Sequence, residues 1–159
     1  MCSSGLTVIT TTSPRNFDLV KSLGADAVFD YNEGPAVGKK IREYTDNKLH
    51  HVFDCISTDS SVAIVAEAFS SDSSPENHYS GLLKQESFPR PGVNFRHTLM
   101  YTSFGETFFK GPNEYKANAA DYEFAKKFWA LAEKLIAEKK VKTHPSEVRQ
   151  GSLNDIFDG

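Results

Sequence analysis

The chain has 159 residues, a net charge of −3 with both signs interspersed, and two cysteines. That is enough for one domain with its own core, and the charge gives no footprint for nucleic acid. No apolar run is long enough to span a membrane or precedes Leu6 as a signal peptide, and Cys2 and Cys55 make no disulfide framework, so a cytoplasmic protein with reduced thiols is expected.

Residues 6–12 join an apolar β-branched run to three threonines and predict a first strand. Ser13-Pro14 reads as a helix start, with the serine hydroxyl as cap and proline at the first helical position. Phe17, Leu19, Val20 and Leu23 give that helix an apolar side, and Gly24 stops it. Residues 27–31 form the next strand, completing a strand–helix–strand unit of a parallel sheet. A turn over 32–35 leads to a helix of about a dozen residues ending near Asp46-Asn47. A third strand is predicted over 50–56, a helix over 60–69 and a polar break over 70–76. Strands over 79–83 and 96–104 follow, then a loop over 108–116.

The longest helix opens at Asn118 or Asp121 and runs to about Lys139, with an apolar face wide enough to need a sheet beneath it. A short extended segment over 141–144 and a helical turn from Leu153 close the chain. Strand and helix signals alternate, which predicts a three-layer α/β fold in a single domain over residues 1–159.

The run LTVITTTSPRNFDLVKSLGADAVFDY (6–31) resembles the second strand, its helix and the third strand of the nucleotide-binding half of a medium-chain dehydrogenase/reductase. VFDCIS (52–57), RHTLMYTSFGETF (96–108) and GSLNDIFDG (151–159) extend the likeness, in particular to trans-acting enoyl reductases that serve fungal polyketide synthases. The resemblance implies a Rossmann-like parallel sheet that lacks the usual first strand and its glycine turn; no G-x-G-x-x-G occurs in the sequence. In the order 3-2-1-4-5-6 that strand is central. The sheet is therefore expected to close up by pairing residues 6–12 with 50–56, in the flavodoxin-like order 2-1-3-4-5. The alternative is strand exchange or dimerisation over the gap.

Candidate sites follow. The backbone N–H groups of Arg15, Asn16 and Phe17 at a helix start, with the Arg15 guanidinium, read as an anion site beside Ser13; a plain helix cap with a surface charge is the competing reading. The resemblance implies that Ser13, Arg15 and Asn16 meet the 2′-phosphate of NADP and that Tyr31 lies by the adenosine. Residues 10–13 are neutral, which favours NADP over NAD.

Ile56 and Ser57 match the end of the family strand that approaches the nicotinamide. Asp54, on the same strand, is an acid or base candidate if buried, or else a carboxylate that caps a neighbouring loop. The resemblance also places Tyr101 and Glu106 on the nicotinamide side, where their side chains could donate or accept protons in a cleft; His97 is the most plausible titrating group near them, with a structural histidine as the competing reading. Cys55 reads as packing, and no H-E-x-x-H or C-x-x-C suggests a metal.

The expected function is a polyketide-type biosynthetic protein resembling the NADPH-binding half of an enoyl reductase, repurposed for a cofactor-free cyclisation or proton shift on a polyketide-like molecule. A reductase that binds NADPH weakly and is completed by another chain is one alternative. A non-catalytic binding or scaffold module is the other. A polyketide synthase or a second copy is the expected protein partner.

Overall fold

The computed structural model describes residues 5–141, 145, 146, 148, 151 and 152. Strand β1 (Ile9–Thr12) runs parallel to β2 (Ala27–Asp30), joined through a 3₁₀ turn (Pro14–Asn16) and the short helix α1 (Phe17–Ser22). Helix α2 (Pro35–Tyr44) leads to β3 (His51–Asp54), and α3 (Asp59–Ala68) leads to β4 (Asn77–Gly81) and β5 (Val93–His97). These three strands form a second parallel sheet in the order β3-β4-β5. A hairpin, β6 (Phe108–Lys110) with β7 (Asn113–Tyr115), precedes the long helix α4 (Ala119–Ala137).

The α/β architecture and the neighbour orders 2-1 and 3-4-5 are as the sequence predicts. The joint between them is not. Among the described residues β1 pairs only with β2 and β3 only with β4, so the sheet does not close up. The helix layer explains why. Val37 and Ile41 of α2 and Ile64 and Ala68 of α3 form one buried cluster, on which Ile9, Phe29 and Leu49 pack. Residues from both halves thus rest on one helix pair. The two helices cross closely at Gly38, where a Cβ would stand 2.3 Å from the Ile64 carbonyl oxygen and 2.7 Å from Glu67 Cβ. Pulling β1 onto β3 would require that interlocked layer to slide.

A second cluster fixes α3 on β3–β5: Val62, Val65, Phe69 and Tyr79 are buried, with Val52, Phe88 and Val93 against them. Fully burying a side chain of this size contributes about 1.5–3 kcal/mol. The end of α3 is secured by two arginines from elsewhere in the chain. The Arg90 guanidinium donates to the carbonyls of Ala66, Phe69 and Ser70, and Arg42 donates to that of Glu67. Burial lowers the Arg90 pKa from its usual range, with Arg42 acting the same way.

Three local expectations change. The strand predicted over 96–104 ends at His97, because β4 leaves the ladder at Gly81 and no partner remains for later residues; Met100–Phe104 winds into a 3₁₀ turn instead. The loop over 108–116 contains the β6–β7 hairpin, whose two-residue Gly111-Pro112 connection has Gly111 at φ +60°. Finally, α4 does not lay its apolar face on a sheet. Ala125 is its one buried residue, and Phe124, Phe128, Trp129, Leu131 and Ile136 are 49–68% exposed. The segment expected over 141–144, Val141 aside, and the turn from Leu153 lie outside the described residues.

Candidate functional site

Within the β1–β2 and β3–β4–β5 sheets the strands are parallel, so their carboxyl ends lie together, and ligands of open α/β sheets bind outside those ends. The residues singled out from sequence fall at these ends or just beyond them. Thr12 and Asp30 are register partners, which brings Ser13 and Tyr31 off adjacent strands.

The local geometry there differs from a helix N-terminus with free donors. Asn16 N–H donates to Ser13 O at 2.9 Å and Phe17 N–H to Pro14 O, so two of the three amides expected to be free close a 3₁₀ turn. The Ser13 hydroxyl caps no amide; it accepts from the Asn16 side chain at 3.3 Å. What remains for a ligand is side-chain chemistry, with Arg15 and Tyr31 both exposed.

At the end of β3, Asp54 is 7% exposed and is the hub of a buried polar network. Its Oδ1 accepts from the amides of Ile56 and Ser57, both at 2.9 Å. Its Oδ2 accepts from the hydroxyls of Ser61 at 2.7 Å and Tyr79 at 3.2 Å. Ser57 sits in the left-handed region at φ +57°, which costs a non-glycine residue about 1–2 kcal/mol. Its hydrogen bonds hold it there: the hydroxyl donates to Asp54 O and accepts from Leu82 N–H, each at 2.9 Å, and its carbonyl accepts from Gln85. Burial, with the Asp54 charge adding to it against an opposing effect of Ser57, keeps the Tyr79 phenol above its ordinary pKa and therefore a neutral donor.

Both Asp54 oxygens are thus occupied by the chain's own donors. Of its two sequence readings, loop-bracing is the one this geometry describes. Ile56 projects from the turn 63% exposed, and Ser57 is buried beneath it. Cys55 is exposed, contrary to the packing role expected for it.

His97 lies in the same register row as Asp54, with Gly81 of β4 between them. Two strand spacings, about 10 Å, separate their backbones. Tyr101 and Glu106, by contrast, come together. With Phe104, Thr107, Phe108, Phe109 and Lys110 they line an open cavity of about 360 Å³. The Tyr101 and Phe108 rings are 5.6 Å apart, and Phe108 stacks on Tyr115 of β7 at 5.0 Å. The sequence reading missed Phe108, Phe109 and Lys110 because it placed them in a loop; the Gly-Pro pair between alternating residues was the signal available.

A family model described as zinc-binding dehydrogenase matches residues 3–120. The chain belongs to that family, the medium-chain dehydrogenases/reductases. It is 45% identical over 156 residues to a trans-enoyl reductase of Alternaria alternata, covering 98% of this chain and 43% of that protein. It is 44% identical over 153 residues to a dual trans-enoyl reductase/FAD-dependent monooxygenase of Aspergillus terreus, covering 96% of this chain and 21% of the relative. The enoyl reductase component of the lovastatin nonaketide synthase of Aspergillus terreus is 33% identical, with 98% and 43% covered. The chain therefore spans less than half the length of these relatives. Among solved structures, the enoyl reductase cyclopropanase CurF of the curacin A biosynthetic pathway matches with a TM-score of 0.60 at 18% identity, over 87% of this chain and 38% of that one.

Among the described residues no three His, Cys, Asp or Glu side chains come together as metal ligands, so the described residues do not fit the zinc of the family's description. No helix among them is long and apolar enough to cross a membrane.

Proposed function

We propose that this chain is the cofactor-side part of an enoyl-reductase module acting on a polyketide-type intermediate, with NADPH as its reductant. The observation that carries the reading is the grouping of Ser13, Arg15, Asn16 and Tyr31 at the ends of two adjacent parallel strands, with no acidic residue from Thr10 to Ser13. There Arg15 would meet the 2′-phosphate through a planar charged fork, and Tyr31 would lie along the adenosine. When bound, NADPH supplies the hydride. The chain's own residues bind and orient it: the Asp54-braced turn keeps Ile56 and Ser57 at the strand end towards the nicotinamide. The aromatic cavity of Tyr101, Phe104, Phe108 and Phe109 suits an apolar chain, and Tyr101 and Glu106 are the proton-handling groups on its wall.

A cofactor-free cyclisation finds less support, because Asp54 is engaged on both oxygens and His97 is not among the cavity-lining residues. A polyketide synthase is the proposed partner, by analogy with the synthase named for the Aspergillus terreus relative.

The test is a titration of the full chain with NADPH and with NADH, followed by nucleotide fluorescence and calorimetry. NADPH is expected to bind more tightly, and Arg15→Ala to weaken it about tenfold while leaving NADH unchanged, the loss of one charge-assisted contact to phosphate. No response at millimolar NADPH, or equal loss for both nucleotides, would overturn the assignment.

A further inference from the structure

We propose that the groove between α2, α3 and segment 89–91 binds a small carboxylate carrying an apolar body, with Arg42 as its cation. The groove is a cavity of about 480 Å³ lined by Pro35 and Arg42 of α2, by Ala63, Ala66 and Glu67 of α3, and by segment 89–91. Its two arginines are not equivalent. Arg90 is accounted for by the fold, since its guanidinium donates to the carbonyls of Ala66, Phe69 and Ser70. Arg42 is not. One terminal nitrogen, Nη2, donates to the Glu67 carbonyl and lies 3.5 Å from Glu67 Oε2. Its Nε is buried and has no hydrogen-bond partner, the one buried side-chain nitrogen or oxygen among the described residues of which that is true. Buried donors in folded proteins are nearly always paired, so an orphan in a cavity wall points to a group that enters the cavity. The charge balance agrees. Two guanidinium charges share the groove with one carboxylate, that of Glu67, which leaves one positive charge unmatched among the lining residues. Burial and then the nearby Arg42 charge lower the Arg90 pKa from its usual value, as two cations held close together would.

The ligand's chemistry follows from the lining. A planar carboxylate matches the edge of a guanidinium through two parallel N–H···O bonds, and so takes up Nε together with the neighbouring terminal nitrogen. Glu67, its side chain 41% exposed, turns its carboxylate out to water as the ligand takes its place beside Arg42. Apart from the two arginines and Glu67, the walls are prolines and alanines, with no hydroxyl or amide side chain. A bare inorganic anion would leave those walls against water, whereas a short aliphatic chain covers them. The ligand class is therefore a medium-chain monocarboxylic acid. The charged end of the groove lies at the last turn of α3, a helix that starts beyond the carboxyl end of β3 and runs back towards the amino end of β4. The site is thus remote from the strand ends of the proposed nucleotide site and does not require the cofactor reading.

The probe is octanoate, titrated into the isotope-labelled full chain and followed by nitrogen–proton NMR, with octanol and inorganic phosphate as comparators. The Arg42 Nε–H resonance reports the contact itself, and the amides of Ala63 and Ala66 report the groove. Octanoate is expected to saturate with a dissociation constant of about 1 mM and to move all of these signals. Octanol lacks the charge and phosphate lacks the apolar body, so each should bind about tenfold more weakly or less well still. Arg42→Lys keeps the charge but loses the fork, and should weaken octanoate about tenfold. Because Arg42 also holds the end of α3, Ala63→Leu is the second variant. It fills the apolar half of the groove, leaves both arginines in place, and should abolish the shifts with little change in melting temperature. Equal binding of octanoate and octanol, equal shifts from phosphate, an Arg42 Nε–H signal unmoved at saturation, or undiminished binding to a folded Ala63→Leu variant would each overturn the proposal. NADPH titration reads a different set of residues, so failure of the cofactor reading leaves this result intact.

Discussion

Asp54 illustrates how a residue with catalytic credentials in the sequence acquires another duty in the fold. A carboxylate near the end of a buried strand suggests an acid or a base. Here four donors converge on it, two amides and two hydroxyls, and the result is a braced turn that holds Ser57 in a left-handed conformation. Asp54→Asn keeps an oxygen for the two amides but replaces Oδ2 with a donor facing the Ser61 and Tyr79 hydroxyls. Ser61 already accepts from Thr58 N–H at 3.0 Å, and the hydroxyl left beside buried Tyr79 is that of Ser57, which already donates to Asp54 O and accepts from Leu82 N–H. The variant is expected to lose about 2 kcal/mol, the cost of a buried donor left without its acceptor. The midpoint of urea unfolding measures it, and an unchanged midpoint would remove the network from the account of this turn. The sequence put Asp54 on the correct strand. It could not reveal Ser61 and Tyr79 as partners, because 7 and 25 residues separate them from Asp54 and only the crossover through α3 brings them together.

At the scale of elements, the crossing of α2 and α3 decides how far apart the two sheets stand. Gly38 is the point of closest approach. Replacing it by alanine raises helix propensity by about 1 kcal/mol. The added methyl, however, meets a backbone carbonyl and a Cβ, neither of which is the free end of a flexible side chain. Overpacking of that kind costs about 1–3 kcal/mol, so Gly38→Ala should lower stability by about 1–2 kcal/mol in thermal unfolding. A rise in melting temperature would mean the helices cross more loosely. The helices were legible because their apolar spacing is strong, as in Val37 and Ile41 or Val62, Ile64 and Val65. The strands after α3 were read two to three residues late. Asn77, buried and bonded to the Ser70 carbonyl and His50 ring, opens β4, where a sequence reading hears a loop residue. Within β5 only Val93 and His97 are partly buried, so that strand has little apolar pattern to read.

Considered as a whole molecule, the described chain leaves much apolar surface uncovered: Phe53 and Ile56 at one sheet edge, and the aromatic side of α4. Helix α4 meets the rest of the structure chiefly where Tyr122 lies against Gly105, a glycine at φ +73° whose absent Cβ would stand 2.9 Å from the Tyr122 ring. Beyond that contact, Phe124 is 68% exposed and stacks loosely with Phe128 at 6.2 Å, while Phe128 meets Trp129 at 5.6 Å. A patch of this kind on a folded chain marks a surface that joins another or drives self-association. Phe124→Glu should therefore change stability by less than about 1 kcal/mol, since little beyond one aromatic pair is lost. The same variant should reduce the binding of an apolar dye such as anilinonaphthalene sulfonate and shift sedimentation towards the monomer. These two measurements separate the possibilities cleanly. A large drop in melting temperature would mean that Phe124 is buried in solution against part of the chain beyond the described residues. A stable variant with less dye bound would mean that the face is open, and that α4 holds its shape through its own hydrogen bonds and the Gly105 contact while its aromatic side waits for a partner surface.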